Sequence, residues 1–324
     1  MFRGRSQILW YVLGASLLIL SGFVALSGIA LPYALPIMLV IAGVIIIAAG
    51  LLHVLPTFPA FVVFLVGIVA FGLTASAPYG FTPFTTTETH ELTTAQATVK
   101  EATVMCSVFT GSIKVSFTSN ETLIYRIVFT KHGSIFYQPT VNFSAPVVDE
   151  ELTIRASSTT VTVDITLNQN IKSRLNLTTT TGTVQVEVPT SASKVEKMTL
   201  TTTTGEVWVN MASTAHLQNL VAKTTTGQVE AVIKSSFQTR DTTVQLTTTT
   251  GRVKLNMNIT NIESDIEAST TTGTVYANVI GFTTLSQSPN FHARTQNYDN
   301  SVYKKLDVSA STTTGNVDIT AYHA

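Results

Sequence analysis

The chain has 324 residues, 45% of them hydrophobic and only 12% charged, with 19 basic side chains balancing 19 acidic ones. Soluble domains average about 25% charged residues, and here the deficit is concentrated in one place. From Ser6 to Thr87 there is no Asp, Glu, Lys or Arg, a run of 82 residues that no soluble domain carries.

In chain order, that run comes first. A bilayer core about 30 Å thick needs about 20 apolar residues per helix, so the run predicts three membrane helices, near 8–30, 35–52 and 60–77. Pro32, Pro56, Pro59 and Pro78 fall at their joints, where a residue without an N–H is tolerated. Arg3 and Arg5 precede the first helix. Basic flanks stay cytoplasmic, so three spans put everything after them outside the cell. Residues 1–80 read as an anchor in the lipid bilayer of the cell membrane and 81–97 as a Thr-rich linker. Residues 98–324 read as an extracellular domain. Four Asn-X-Ser/Thr sequons, at Asn120, Asn142, Asn176 and Asn258, are possible glycosylation sites, and all four lie in that domain.

A repeat organises the polar part. Runs of Thr closed by glycine end at Gly182, Gly205, Gly227, Gly251, Gly273 and Gly315, at spacings of 23, 22, 24, 22 and 42. Degenerate copies end at Gly111 and Gly133, and a glycine-free copy sits around Thr159. Two residues after the glycine stand Val184, Val207, Val229, Val253, Val275 and Val317, and four after it Val186, Val209, Ala231, Leu255, Ala277 and Ile319. Polar residues fall between them, which is the period-2 signature of a strand with one buried face. Seven and five before the glycine the same alternation runs through Leu175 and Leu177, Met198 and Leu200, Leu220 and Ala222. It places the Thr three before the glycine inward, and the inward parity then flips at the glycine, which needs a corner. Each unit is therefore strand, Gly corner, strand and connection. Units that cannot bury their apolar face alone bury it by stacking. The expectation is an all-β parallel β-solenoid of roughly 22-residue coils behind N-terminal transmembrane helices.

This repeat resembles the "putative adhesin" family, in which such units form a toast-rack-like β-solenoid, often tethered to membrane spans in bacteria and archaea. The arrangement of apolar spans followed by such a domain is more distantly similar to cell-envelope stress regulators of the LiaF type. The first resemblance implies a surface protein contacting glycans or other envelope proteins. The second implies a regulatory subunit of a membrane sensor.

Catalytic and cofactor chemistry finds little support. Aligned on the glycine, no two acids occupy neighbouring coils, as a glycosidase would need. Glu230 faces Lys254 instead. The six histidines form no ligand spacing with one another, with an acid or with the single cysteine, Cys106, which sits at an inward position. Residues 88–324 carry 17 basic against 19 acidic side chains, a balance that offers nucleic acid no attraction. The expectation is a protein without enzymatic activity or cofactor. Candidate partner contacts are Trp208 and Tyr276, which share an outward column, and the aromatic-bearing segment 281–303 between Gly273 and Gly315, which holds Phe291, His292 and Tyr298. That segment lacks a corner glycine and reads as a mobile loop leaving the stack.

Overall fold

The computed structural model describes residues 84–324, apart from 134–138, 191, 288, 289 and 301–303, together with Val66. The three expected membrane helices lie outside the described residues. Among the described residues no helix is long and apolar enough to cross a membrane. The chain divides into two compact units, 1–85 with 132–138 and 86–131 with 139–324.

The second unit is all-β. Its long strands are β2 (Glu101–Thr118), β6 (Glu151–Asn168), β7 (Lys172–Val188), β8 (Val195–Met211), β9 (Asn219–Ser235), β10 (Thr242–Ile259) and β15 (Lys305–His323). An interrupted pair, β11 (Glu263–Thr272) and β12 (Val275–Ile280), adds one more level. These pair in parallel in the order β6-β2-β7-β8-β9-β10-β15, with β11 and β12 both on β15. The glycines stack in register, Gly111 on Gly182, then Gly205, Gly227, Gly251 and Gly315.

The inward parity flips at each of these glycines, as the alternation requires. Gly182, Gly205, Gly227 and Gly251 have φ between 135° and 140°, a region that only glycine enters at low cost. An added β-carbon at any of them would overlap the carbonyl oxygen of the glycine one strand below. On either side of the corner the inward columns are closed to solvent. Leu177, Leu200, Ala222 and Leu246 before it, and Val184, Val207, Val229 and Val253 after it, are each 0% exposed. Burying a Val or Leu this fully stabilises by about 1.5–3 kcal/mol, and the columns form one continuous core.

Several expectations are corrected. The segment read as a linker contains β1 (Phe84–Thr93), which pairs β3 (Leu123–Gly133). Its Thr-rich, alternating sequence suits a strand as well as it suits a linker, and His90 stacks on Phe143 with ring centroids 4.2 Å apart. Gly133 is not a coil corner, because β3 runs antiparallel to β6. The glycine-free copy is displaced by two residues. Val163, not Val161, pairs Ile113, and a two-residue slip keeps every side chain on its own face. The coil order is also not sequential. β2 inserts between β6 and β7, and β15 inserts between β10 and the outer pair β11 and β12.

The segment 281–303 is not an extruded loop. It forms β13 (Phe282–Ser286) and β14 (Phe291–Thr295), antiparallel to each other, with β14 antiparallel to β11. Phe291, Ala293 and Thr295 alternate inward at 5%, 0% and 2% exposure. At the other end β4 (Val141–Ser144) and β5 (Val147–Val148) pair antiparallel with β6. Antiparallel segments thus cover backbone that a parallel stack would otherwise leave open at its outer strands.

Candidate functional site

Four surfaces carry the chemistry of the described residues. The first is the outward column three residues past the glycine, where the order is Gln185, Trp208, Glu230, Lys254, Asp318, Tyr276. The expected pair forms, with Lys254 Nζ 2.8 Å from Glu230. Gln228 also donates to Glu230 at 3.0 Å, and Arg252 pairs with Asp318. Trp208 is half-buried and Tyr276 is 56% exposed. Four strand steps separate them, about 19 Å at the usual strand spacing, so they make no common aromatic platform.

The second surface is the 281–303 hairpin. Phe291 belongs to the core. His292 Nε2 lies 2.7 Å from Asp265, and Arg294 donates to the other Asp265 oxygen at 2.6 Å. The Tyr298 hydroxyl donates to Asp307, while Arg294 and Lys305 lie over its ring at 5.0 and 4.3 Å. Partial burial and the Asp307 carboxylate push the Tyr298 phenol above its ordinary pKa. These residues fasten the hairpin to β11 and β15, and their polar groups are already engaged within the chain.

The third is a groove of about 450 Å³ over Cys106, bordered by Phe143, Arg155, Asn142 and Asn176. Burial pushes the Cys106 thiol up to about 12, so it stays protonated and unreactive at neutral pH. The sequon residues Asn120, Asn142, Asn176 and Asn258 are all exposed. Asn120 caps its own turn, accepting from the backbone N–H of Thr122 at 3.0 Å.

The fourth surface was missed by sequence reasoning, which aligned the strands and passed over the connections between them. There, a cleft of about 370 Å³ is lined by Lys100, Glu101, Lys172, Lys194, Glu196, His216 and Arg240. Lys172 bridges Glu101 at 3.0 Å and Glu196 at 3.1 Å, Arg174 spans the same two carboxylates at 3.1 and 3.2 Å, and Arg240 reaches Glu196 at 3.4 Å. The Glu196 side chain is only 4% exposed, which three cations make tolerable. The hydrogen bond from Lys172 holds Glu101 below the usual carboxylate range, and Glu101 and Glu196 raise Lys172 in turn. Partial burial lowers His216, and the nearby cations Lys194 and Arg240 lower it further. Lys172, Arg174, Lys194 and Arg240 thus outnumber Glu101 and Glu196, leaving surplus positive charge in a concave site. Such a site attracts an anionic group. Among the described residues no three His, Cys, Asp or Glu side chains gather to hold a metal.

No family model matches the chain, and no curated protein does. Solved structures do resemble it. One, described as a putative cell adhesion protein from Clostridium sporogenes, is 13% identical with a TM-score of 0.43, over 74% of this chain and 100% of its own. Two described as putative adhesins come from Parabacteroides distasonis and Parabacteroides merdae. They are 10% and 9% identical, each with a TM-score of 0.23, over 74% of this chain and 98% and 96% of theirs.

Proposed function

We propose that the chain is a non-enzymatic cell-surface protein. Three helices within residues 1–80 hold it in the membrane with the N-terminus in the cytoplasm, and the β domain projects outside as a solenoid that binds glycans or other envelope proteins. The observation that carries this reading is the 82-residue uncharged run that precedes the parallel stack in the chain. Support for closed coils comes from the connections, which bond from level to level as the strands do. Ala212 N–H donates to Val188 at 2.9 Å, Thr239 N–H to Ala215 at 3.0 Å and Thr260 N–H to Ser235 at 3.0 Å. Rigid scaffolds of this kind serve binding through the surfaces they display.

The test is attachment of cells that carry the full chain, compared with cells that carry the anchor but lack residues 98–324. Attachment to glycan-coated surfaces and to other cells should disappear with the deletion. Undiminished attachment would contradict the reading. It would favour a regulatory subunit that meets its partner through the spans.

A further inference from the structure

The cleft is one stretch of a longer feature. Eleven residues before their glycines stand Lys100, Lys194, His216, Arg240 and Lys304, and Lys172 stands ten before Gly182. The strands these residues introduce, β2, β7, β8, β9, β10 and β15, are consecutive in the stack. The backbone ties their levels together. Lys172 N–H donates to the Lys100 carbonyl at 3.1 Å, and Ser173 N–H to the Lys194 carbonyl at 2.9 Å. Lys305 N–H donates to the Asp241 carboxylate at 3.0 Å. On the β8 side the bulge between Ser173 and Arg174 brings Lys172 level with Lys194, whereas on the β2 side Lys172 stands opposite Glu101, one residue past Lys100. Six levels at the usual strand spacing make a basic line about 24 Å long.

Like charges on neighbouring strands repel, and three past the glycine this stack sets Glu230 against Lys254. The basic line instead sets Lys or Arg on five of six successive levels, with His216 between Lys194 and Arg240. Glu101, which faces Lys172 in register, and Glu196 are already shared among Lys172, Arg174 and Arg240, and Asp241 accepts from the Lys305 N–H. Lys194 and Lys304 are exposed and have no ion-pair partner among the described residues. At one end the line is closed by Glu150, which pairs with Lys100 at 2.5 Å. Beyond Lys304, the outermost level has Ile262 in the corresponding place.

Resting on the proposed surface function, we infer that this line is a binding track for an acidic polysaccharide, whose carboxylate or sulfate groups lie along the stacking axis and contact successive levels. Lys and Arg side chains on successive levels, interrupted only at His216, fit a linear polyanion better than a compact anion. The cleft has no Phe, Tyr or Trp on which bases could stack, as single-stranded nucleic acid sites have. Its concavity and single-file charge suit a chain rather than a flat lipid surface.

The experiment measures binding of the full chain to heparin (sulfated) and to polygalacturonate (carboxylate only), with dextran as the neutral control and duplex DNA and anionic phospholipid vesicles as competing polyanions. Binding to at least one acidic polysaccharide is expected, weakening steeply with salt. Lys194→Ala combined with Lys304→Ala should weaken it tenfold or more. Lys194→Arg with Lys304→Arg should retain it, and Lys234→Ala, an exposed lysine off the line, should change it less than twofold. Absence of binding to both polysaccharides would overturn the inference, as would equal loss from Lys234→Ala or equally tight binding to DNA or vesicles. Cells that still attach to neutral glycans while the protein ignores both acidic ones would sink the track and leave the surface function standing.

Discussion

The hydroxyl of Thr224 donates to the carbonyl oxygen of Gly205, one level away, at 3.4 Å, and to that of Thr226 in its own strand at 3.2 Å. Thr179, Thr202 and Thr248 repeat the arrangement with Gly111, Gly182 and Gly227 at 3.4–3.5 Å. The inward threonine is therefore a buried donor placed beside the corner of the neighbouring coil. Thr224→Val keeps the shape and removes the donor, which should cost about 1 kcal/mol, read by urea unfolding. Thr203→Val, at an exposed position two before Gly205, should stay within about 0.5 kcal/mol.

The corner glycines should be far less forgiving. Gly227 has φ of 137°, and a β-carbon there would overlap the Gly205 carbonyl oxygen. Backbone strain of this kind costs about 1–3 kcal/mol before the overlap is counted. Gly227→Ala should thus lower the melting temperature well beyond Thr224→Val. Equal effects would show that the corner can relax.

Val207 is 0% exposed, whereas its neighbour Glu206 is exposed. Val207→Asp places an unpartnered charge in the core and should cost several kcal/mol. Glu206→Lys should stay within about 0.5 kcal/mol. Similar denaturation midpoints for the two variants would contradict the assigned register.

The hairpin predicts a stability effect where the sequence suggested none. Replacing residues 282–295 with a Gly-Ser link removes the Asp265 pairs to His292 and Arg294 and uncovers the β11 edge. The melting temperature should fall markedly, and the variant should self-associate in light scattering, because open strand edges template pairing. An unchanged melting temperature would return the segment to the status of a loop.

The parallel register of the central coils was legible because glycine marks every corner and the alternation on both sides is strict, so Val207 and Leu200 could be placed inward from spacing alone. The outer levels were harder for a physical reason. β6 has Val161 where its neighbour has Gly111, and without a marker an alternating strand aligns equally well two residues away. Strand order was hidden too, because nothing local in β15 distinguishes insertion beside β10 from addition at the end. Phe291-His-Ala-Arg-Thr shows the right alternation, but it is five residues long and glycine-free, a pattern that suits an antiparallel cap rather than a coil. The basic line was visible as a column eleven before the glycine, except that Lys172 stands ten before Gly182. It lies in connections of varying length, where strand periodicity gives no reason to look. Trp208 and Tyr276 fall in one column as expected, and only the inserted β15 reveals how far apart they stand.

The central claim is that residues 98–324 are displayed outside the cell, and protease treatment of intact cells tests it most directly. With an epitope on the C-terminus, added protease should remove the signal from whole cells while a cytoplasmic marker survives. A C-terminal signal that persists in intact cells and is lost only after lysis would place the β domain inside and contradict the account.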